Sequence, residues 1–181
     1  MNHLVWYAAY GSNLSRARFD IYLRGGTPDG ATHHYPGCRD PSAPVEDRPD
    51  EIDMQLAFGG TSTTWGGGVA FVRPGGVAKA RLYLLTREQF ADVVAQENWL
   101  EPGSVEIDDA TMTIGHHMYG VVPHLGSLDG HPIRTITQDS ETLLAAPTPA
   151  YVAYIAEGLR ESHGMAPVEI DAYLHQAPGL R

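Results

Sequence analysis

The chain has 181 residues, 43% of them hydrophobic, and a formal net charge of −10. That is apolar material for one substantial core and predicts a single domain over residues 1–181, while an acidic body disfavours nucleic acid and anionic membrane surfaces as partners. The single cysteine, Cys38, cannot form an internal disulfide, no apolar run nears the roughly 20 residues that span a bilayer, and no basic segment followed by an apolar run opens the chain, so the expected location is cytoplasmic.

In chain order, Trp6-Tyr7-Ala8-Ala9 reads as a short buried strand running into Gly11, with Ser12 or Asn13 placed to cap a helix that begins near Ser15. A strand, a glycine and a capped helix start in succession aim unpaired backbone N–H groups at one point, where the helix dipole also favours negative charge. That is the design of an anion or oxyanion pocket, although plain strand-to-helix turns use the same succession. Arg16 to Arg24 suits a short amphipathic helix stopped by Gly25-Gly26, and residues 27–51, rich in Pro, Gly, Asp and His, predict a long irregular loop. Such a loop is either a lid or a surface excursion pinned by Tyr35 and Pro36. Alternation from Ile52 to Phe58 predicts a half-buried strand, and the glycine-rich run to Gly68 leads into a second strand, Val69–Val72. After the turn Pro74-Gly75-Gly76 comes a strand over Val77–Thr86, and Thr86 is placed as the N-cap of a helix through Glu97. Strands around Thr111–Pro123 and Ile133–Thr137 read as a hairpin through residues 126–130. Pro147-Thr148-Pro149 leads into a helix over Ala150–His163 closed by Gly164, followed by a short helix over Val168–His175. Interleaved strands with a few helices predict an α+β fold with a curved or closed sheet.

Glu97 stands out because it falls in line with Phe90, Val93 and Val94 on the apolar side of its helix. A fraying, solvated helix end is one reading. The spacing otherwise predicts partial burial, which raises a carboxyl pKa and suits it to acid/base work near neutrality. The pairs His33-His34 and His116-His117 are poor metal ligands, since neighbours in an extended chain point to opposite faces, and no zinc-type spacing is present, so no metal is expected. Ser12 lacks the glycines of a nucleophile elbow, and Cys38 has histidines near it only in sequence.

Tyr10-Gly11-Ser12-Asn13-Leu14 after an aromatic strand, Phe58-Gly59-Gly60 leading to Trp65-Gly66-Gly67-Gly68-Val69-Ala70, a helix ending Gln96-Glu97, and Pro147-Thr148-Pro149-Ala150-Tyr151 before the terminal helix together resemble the γ-glutamylcyclotransferase, or AIG2-like, family from residue 6 to about 175. The resemblance implies a small, mixed, barrel-like sheet with flanking helices around a cavity. It also implies that the loop Tyr10, Gly11, Ser12, Asn13 and Leu14 holds a γ-glutamyl group, that Tyr7 and Tyr151 line the pocket, and that Glu97 is the acid/base residue. The implied chemistry is intramolecular cyclisation of a γ-glutamyl amide to 5-oxoproline with release of an amine or amino acid, without a cofactor, because ring closure supplies proximity. A non-catalytic binding module using the same cavity, and an amide hydrolase or acyl transferase of the same fold, are the other readings. The loop N–H groups could serve the oxyanion or the substrate carboxylate. Three departures stand out: Glu97-Asn98-Trp99 where many members have Glu followed by Gly, which predicts a differently built turn; the long loop over residues 27–51; and no tyrosine on Ile133–Thr137.

Overall fold

The first strand, β1 (Leu4–Ala9), is apolar at every position, and all but its first residue are buried in the computed structural model, which describes residues 3–181. Alternation sends Trp6 and Ala8 into one apolar cluster and Val5, Tyr7 and Ala9 into another, so β1 is covered on both faces. It pairs antiparallel with β5 (Ala78–Thr86) and parallel with β7 (His131–Arg134), inside a five-stranded sheet ordered β2-β5-β1-β7-β6. Here β2 is Glu46–Ile52 and β6 is His124–Leu128. Helices α1 (Arg16–Arg24) and α2 (Arg87–Glu97) bury Phe19, Leu23, Phe90, Val93 and Val94 against the Tyr7 face. On the Trp6 face lie α3 (Pro149–His163) and α4 (Pro167–Leu174).

Strands β3 (Gln55–Ser62) and β4 (Gly67–Arg73) form a separate antiparallel ribbon. Its outer edge is closed by side-chain hydroxyls instead of a further strand. Thr137 Oγ1 accepts from the Val72 N–H (2.9 Å) and donates to the Val72 carbonyl (2.7 Å). Tyr151 Oη accepts from the Ala70 N–H (3.1 Å), and Tyr119 Oη donates to the Ala70 carbonyl (2.6 Å). Sheet and ribbon thus curl into a half-barrel with helices around it, the α+β architecture expected. Buried backbone groups need partners, and these hydroxyls supply them where the barrel is incomplete.

Several boundaries differ from expectation. The helix cap is Ser15, whose hydroxyl accepts from the Arg18 N–H, and Ser12–Leu14 forms a tight 3₁₀ turn before it. The long loop ends at Val45, because residues 46–52 add to β5 as an edge strand that tolerates Pro49. A tight reversal after Ile52 splits the alternating stretch between β2 and β3. Residues 111–123 form no strand: isolated bridges join Thr113 to Val121 and Val121 to Thr137, and the hairpin is β6–β7 with its turn at Asp129-Gly130.

Candidate functional site

The turn after β1 is fixed from behind. Tyr83 Oη donates to the Asn13 carbonyl (2.8 Å) and Arg81 Nη1 to the Leu14 carbonyl (3.2 Å), while the Leu14 N–H closes the turn on the Gly11 carbonyl (3.0 Å). The first N–H groups of such a turn have no acceptor within it. A side chain at Gly11 would crowd Ala70 Cβ (3.1 Å) and Tyr151 Oη (3.2 Å). The turn and Glu97 border one narrow cleft of about 60 Å³. A second, more open recess lies at the start of α2, where Arg39 and Arg87 are paired with Asp92 and Asp109.

Asn13 connects the two halves of the cleft. Its Nδ2 donates to Glu97 Oε1 (3.0 Å) and to Tyr7 Oη (3.2 Å). Because Glu97 needs a donor, this orientation of the amide is fixed by its neighbours. Burial pushes the Glu97 carboxyl above the usual carboxylate range, while Arg18 and hydrogen bonds from Tyr22 and Asn13 pull the other way. Of the expected binding residues, Tyr7, Tyr10, Gly11, Ser12, Asn13 and Tyr151 border the cleft with Glu97. Leu14 does not: its side chain is fully buried in the apolar cluster beneath α3. Burial pushes the Cys38 thiol up to about 12, which leaves it protonated and non-nucleophilic at neutral pH.

Arg18 was not foreseen. It is only 1% exposed, and its guanidinium lies over the rings of Tyr22 (4.4 Å) and Tyr35 (4.5 Å) and donates from Nη2 to Tyr22 Oη (3.1 Å). Its Nε and Nη1, like Asn13 Oδ1, are buried without a partner among the described residues. The signal was present in the sequence: Arg18 falls in the apolar stripe Phe19, Tyr22 and Leu23 of α1, as Glu97 does on α2. A cation that cannot deprotonate thus supports the carboxylate by its charge, beside the hydrogen bond from Tyr22. Replacing Arg18 by Met removes that support, raises the Glu97 pKa further and is expected to move the acidic limb of the activity profile to higher pH. An unmoved limb in a pH series would contradict this.

Tyr151 borders the cleft and also closes β4. Burial pushes its phenol up to about 12, so it stays neutral at physiological pH. Tyr151→Phe strands the Ala70 N–H and is expected to cost about 1–3 kcal/mol in urea unfolding.

The wall formed by the long loop is held by a polar row on α2. Gln96 Oε1 accepts from the Gly37 N–H (3.0 Å), Asp92 Oδ2 from the Arg39 N–H (2.9 Å), and Gln89 Nε2 donates to the Ser42 carbonyl (3.0 Å). The loop is therefore pinned at three places, in addition to buried Tyr35 at the cleft. Among the described residues no group of three or more His, Cys, Asp or Glu could hold a metal ion, and no helix is long and apolar enough to cross a membrane.

Comparison with known proteins gives a consistent fold. No family model matches the chain. A solved structure of a gamma-glutamyl cyclotransferase superposes with a TM-score of 0.63 at 20% identity, over 97% of this chain and 89% of that one. An uncharacterized protein from Homo sapiens gives 0.62 at 21% identity with the same coverage. YkqA from Bacillus subtilis gives 0.54 at 16% identity, covering 97% of this chain and 55% of that one. In sequence, histone deacetylase 5 of Arabidopsis thaliana is 33% identical over 201 aligned positions, which take in 96% of this chain; the chain spans 30% of that protein's length. The structural likenesses show the γ-glutamyl cyclotransferase-like fold.

Proposed function

We propose that this chain, built on the γ-glutamyl cyclotransferase-like fold, is an enzyme that cyclises a γ-glutamyl amide to 5-oxoproline and releases the amine or amino acid. The observation that carries the reading is the half-buried Glu97 carboxyl, tied at 3.0 Å to Asn13 of the Gly11–Leu14 turn and bordering the same cleft as that turn. An acid/base group and a turn with unused N–H groups, brought to one cavity from residues 84 positions apart, are what an amide-to-lactam exchange needs.

The step balances without a second reactant. Glu97, as carboxylate, takes a proton from the substrate's α-ammonium; the freed amine attacks the γ-carbonyl carbon and a new N–C bond closes the five-membered ring. The attack leaves a negative tetrahedral oxygen and a positive ring nitrogen. Glu97 returns its proton to the amide nitrogen and then takes the second proton from the ring nitrogen; as the oxygen re-forms the carbonyl the original C–N amide bond breaks, and the departing amine carries that second proton away as an ammonium, leaving Glu97 a carboxylate again. Water is neither consumed nor produced. Burial, by raising the Glu97 pKa, brings it closer to that of the α-ammonium and makes the first proton transfer less uphill. The Arg18 charge keeps enough of it ionised to begin.

The reading takes a small γ-glutamyl compound as substrate and no cofactor. Incubation with a panel of γ-glutamyl dipeptides and amines, followed by mass spectrometry, tests it. The expected product is 5-oxoproline with an equimolar amine. A shift in melting temperature with no product from any substrate would favour the bare binding module instead.

A further inference from the structure

Two residues after the acid, α2 ends in a turn that ordinarily belongs to glycine. The Leu100 N–H donates to the Ala95 carbonyl (2.9 Å) and the Trp99 N–H to the Gln96 carbonyl (3.3 Å), with Trp99 in the left-handed region at φ 61°. A side chain there crowds its own backbone, which is why glycine is the usual occupant. The turn after Glu97 thus holds a tryptophan in glycine's conformation, one residue beyond Asn98, which keeps a negative φ. Burial does not offset the strain, because Trp99 is 56% exposed. Strain kept at a cleft is an observation from which function can be argued.

The position of the indole gives that strain a use. The polar end of the cleft is closed: Arg18 is 1%, Asn13 4% and Tyr7 5% exposed. Trp99 borders the same cleft and is open to solvent, so it marks the mouth, with Trp65 and Met118 also on the lining. Its ring rests against His33 (centroids 4.0 Å), which in turn meets Tyr35 edge-on (4.6 Å), so the loop holds the indole in place. A substrate whose α-ammonium lies at Glu97 must direct the other side of its scissile bond away from that closed end, towards the mouth.

We propose that Trp99, steadied by His33, is the wall of a leaving-group subsite that selects γ-glutamyl amides whose departing amine carries a flat apolar group, an aromatic amino acid foremost. The inference rests on the cyclisation reading and adds the substrate class. Aromatic pairs gain from offset or edge contacts beyond area alone, enough for a preference of about tenfold.

The test compares kcat/KM for γ-glutamyl-phenylalanine and γ-glutamyl-alanine, which differ only in the phenyl ring. The native chain is expected to prefer the phenylalanine compound about tenfold. Trp99→Gly should lower turnover of that compound about tenfold more than turnover of the alanine compound, while its melting temperature holds or rises because glycine relieves the turn. Trp99→Phe should keep most of the preference. Equal rates in the native chain, or equal losses for both substrates in Trp99→Gly, would overturn the subsite while leaving the cyclisation standing. Absence of 5-oxoproline from both would overturn the two together.

Discussion

Glu97→Gln is expected to lower 5-oxoproline formation by roughly 10³- to 10⁴-fold, the upper part of what one acid/base group contributes, because the same carboxyl takes the first proton and returns the second. The substitution keeps size and shape, and Gln can still accept from Asn13 Nδ2, so the cleft should stay assembled. Stability gives an independent reading. Burial raises the folded-state pKa of Glu97; the stability gained by holding the proton is therefore complete below the ordinary carboxylate range and is lost as pH rises through the raised value. Gln, neutral throughout, does not lose it. The melting temperature of Glu97→Gln relative to the native chain is expected to rise between acid and neutral pH. A mutant with substantial turnover, or a difference that falls with pH, would contradict the role given to this residue.

Gly158→Ala should reverse the usual sign of a helical glycine substitution. In an open helix interior alanine stabilises by about 0.5–1 kcal/mol. In α3 the added methyl would stand 2.3 Å from the carbonyl carbon and Cβ of Leu14 and 2.4 Å from the Ser15 nitrogen. Those are backbone atoms of the turn and a fully buried side chain, so neither can swing away, and helix or turn must shift. Overpacking of this kind costs about 3 kcal/mol, or about 6–12 °C for a chain of this size. The shift falls on the segment that holds Asn13, so activity should drop along with melting temperature. An unchanged melting temperature would show that α3 does not set the position of the turn.

How much was legible follows from what each residue answers to. Two helix ends were local and readable: Thr86 accepts from the Gln89 N–H, and Gly164 ends α3 in the left-handed region, whereas the cap of α1 is Ser15 instead of Ser12 or Asn13. Glu97 was visible as a charge out of place on an apolar stripe. Arg18 carried the same signal on α1, a charge in line with Phe19, Tyr22 and Leu23, although the charged residues Arg16, Asp20 and Arg24 of the same short helix mask it. β2 was hidden by its own composition: Glu46, Asp47, Pro49, Asp50 and Glu51 look like loop, and only the edge position beside β5 makes that run a strand. The missing strand at residues 111–123 failed for the opposite reason. Residues there pair only at isolated points, Thr113 with Val121 and Val121 with Thr137, too short for a ladder, because the chain turns back on itself between them. The nearness of Asn13 to Glu97 is purely tertiary; neither segment announces the other, and family resemblance, more than spacing, joined them beforehand.

The most direct test of the account is to incubate the protein with γ-glutamyl dipeptides in water enriched in ¹⁸O and to weigh the products. Intramolecular attack by the α-amine predicts 5-oxoproline carrying no ¹⁸O, released together with free amino acid in equal amounts, and abolished in Glu97→Gln. Glutamate labelled with ¹⁸O would show that water is the nucleophile and the chain a hydrolase, contradicting the cyclisation at its central step.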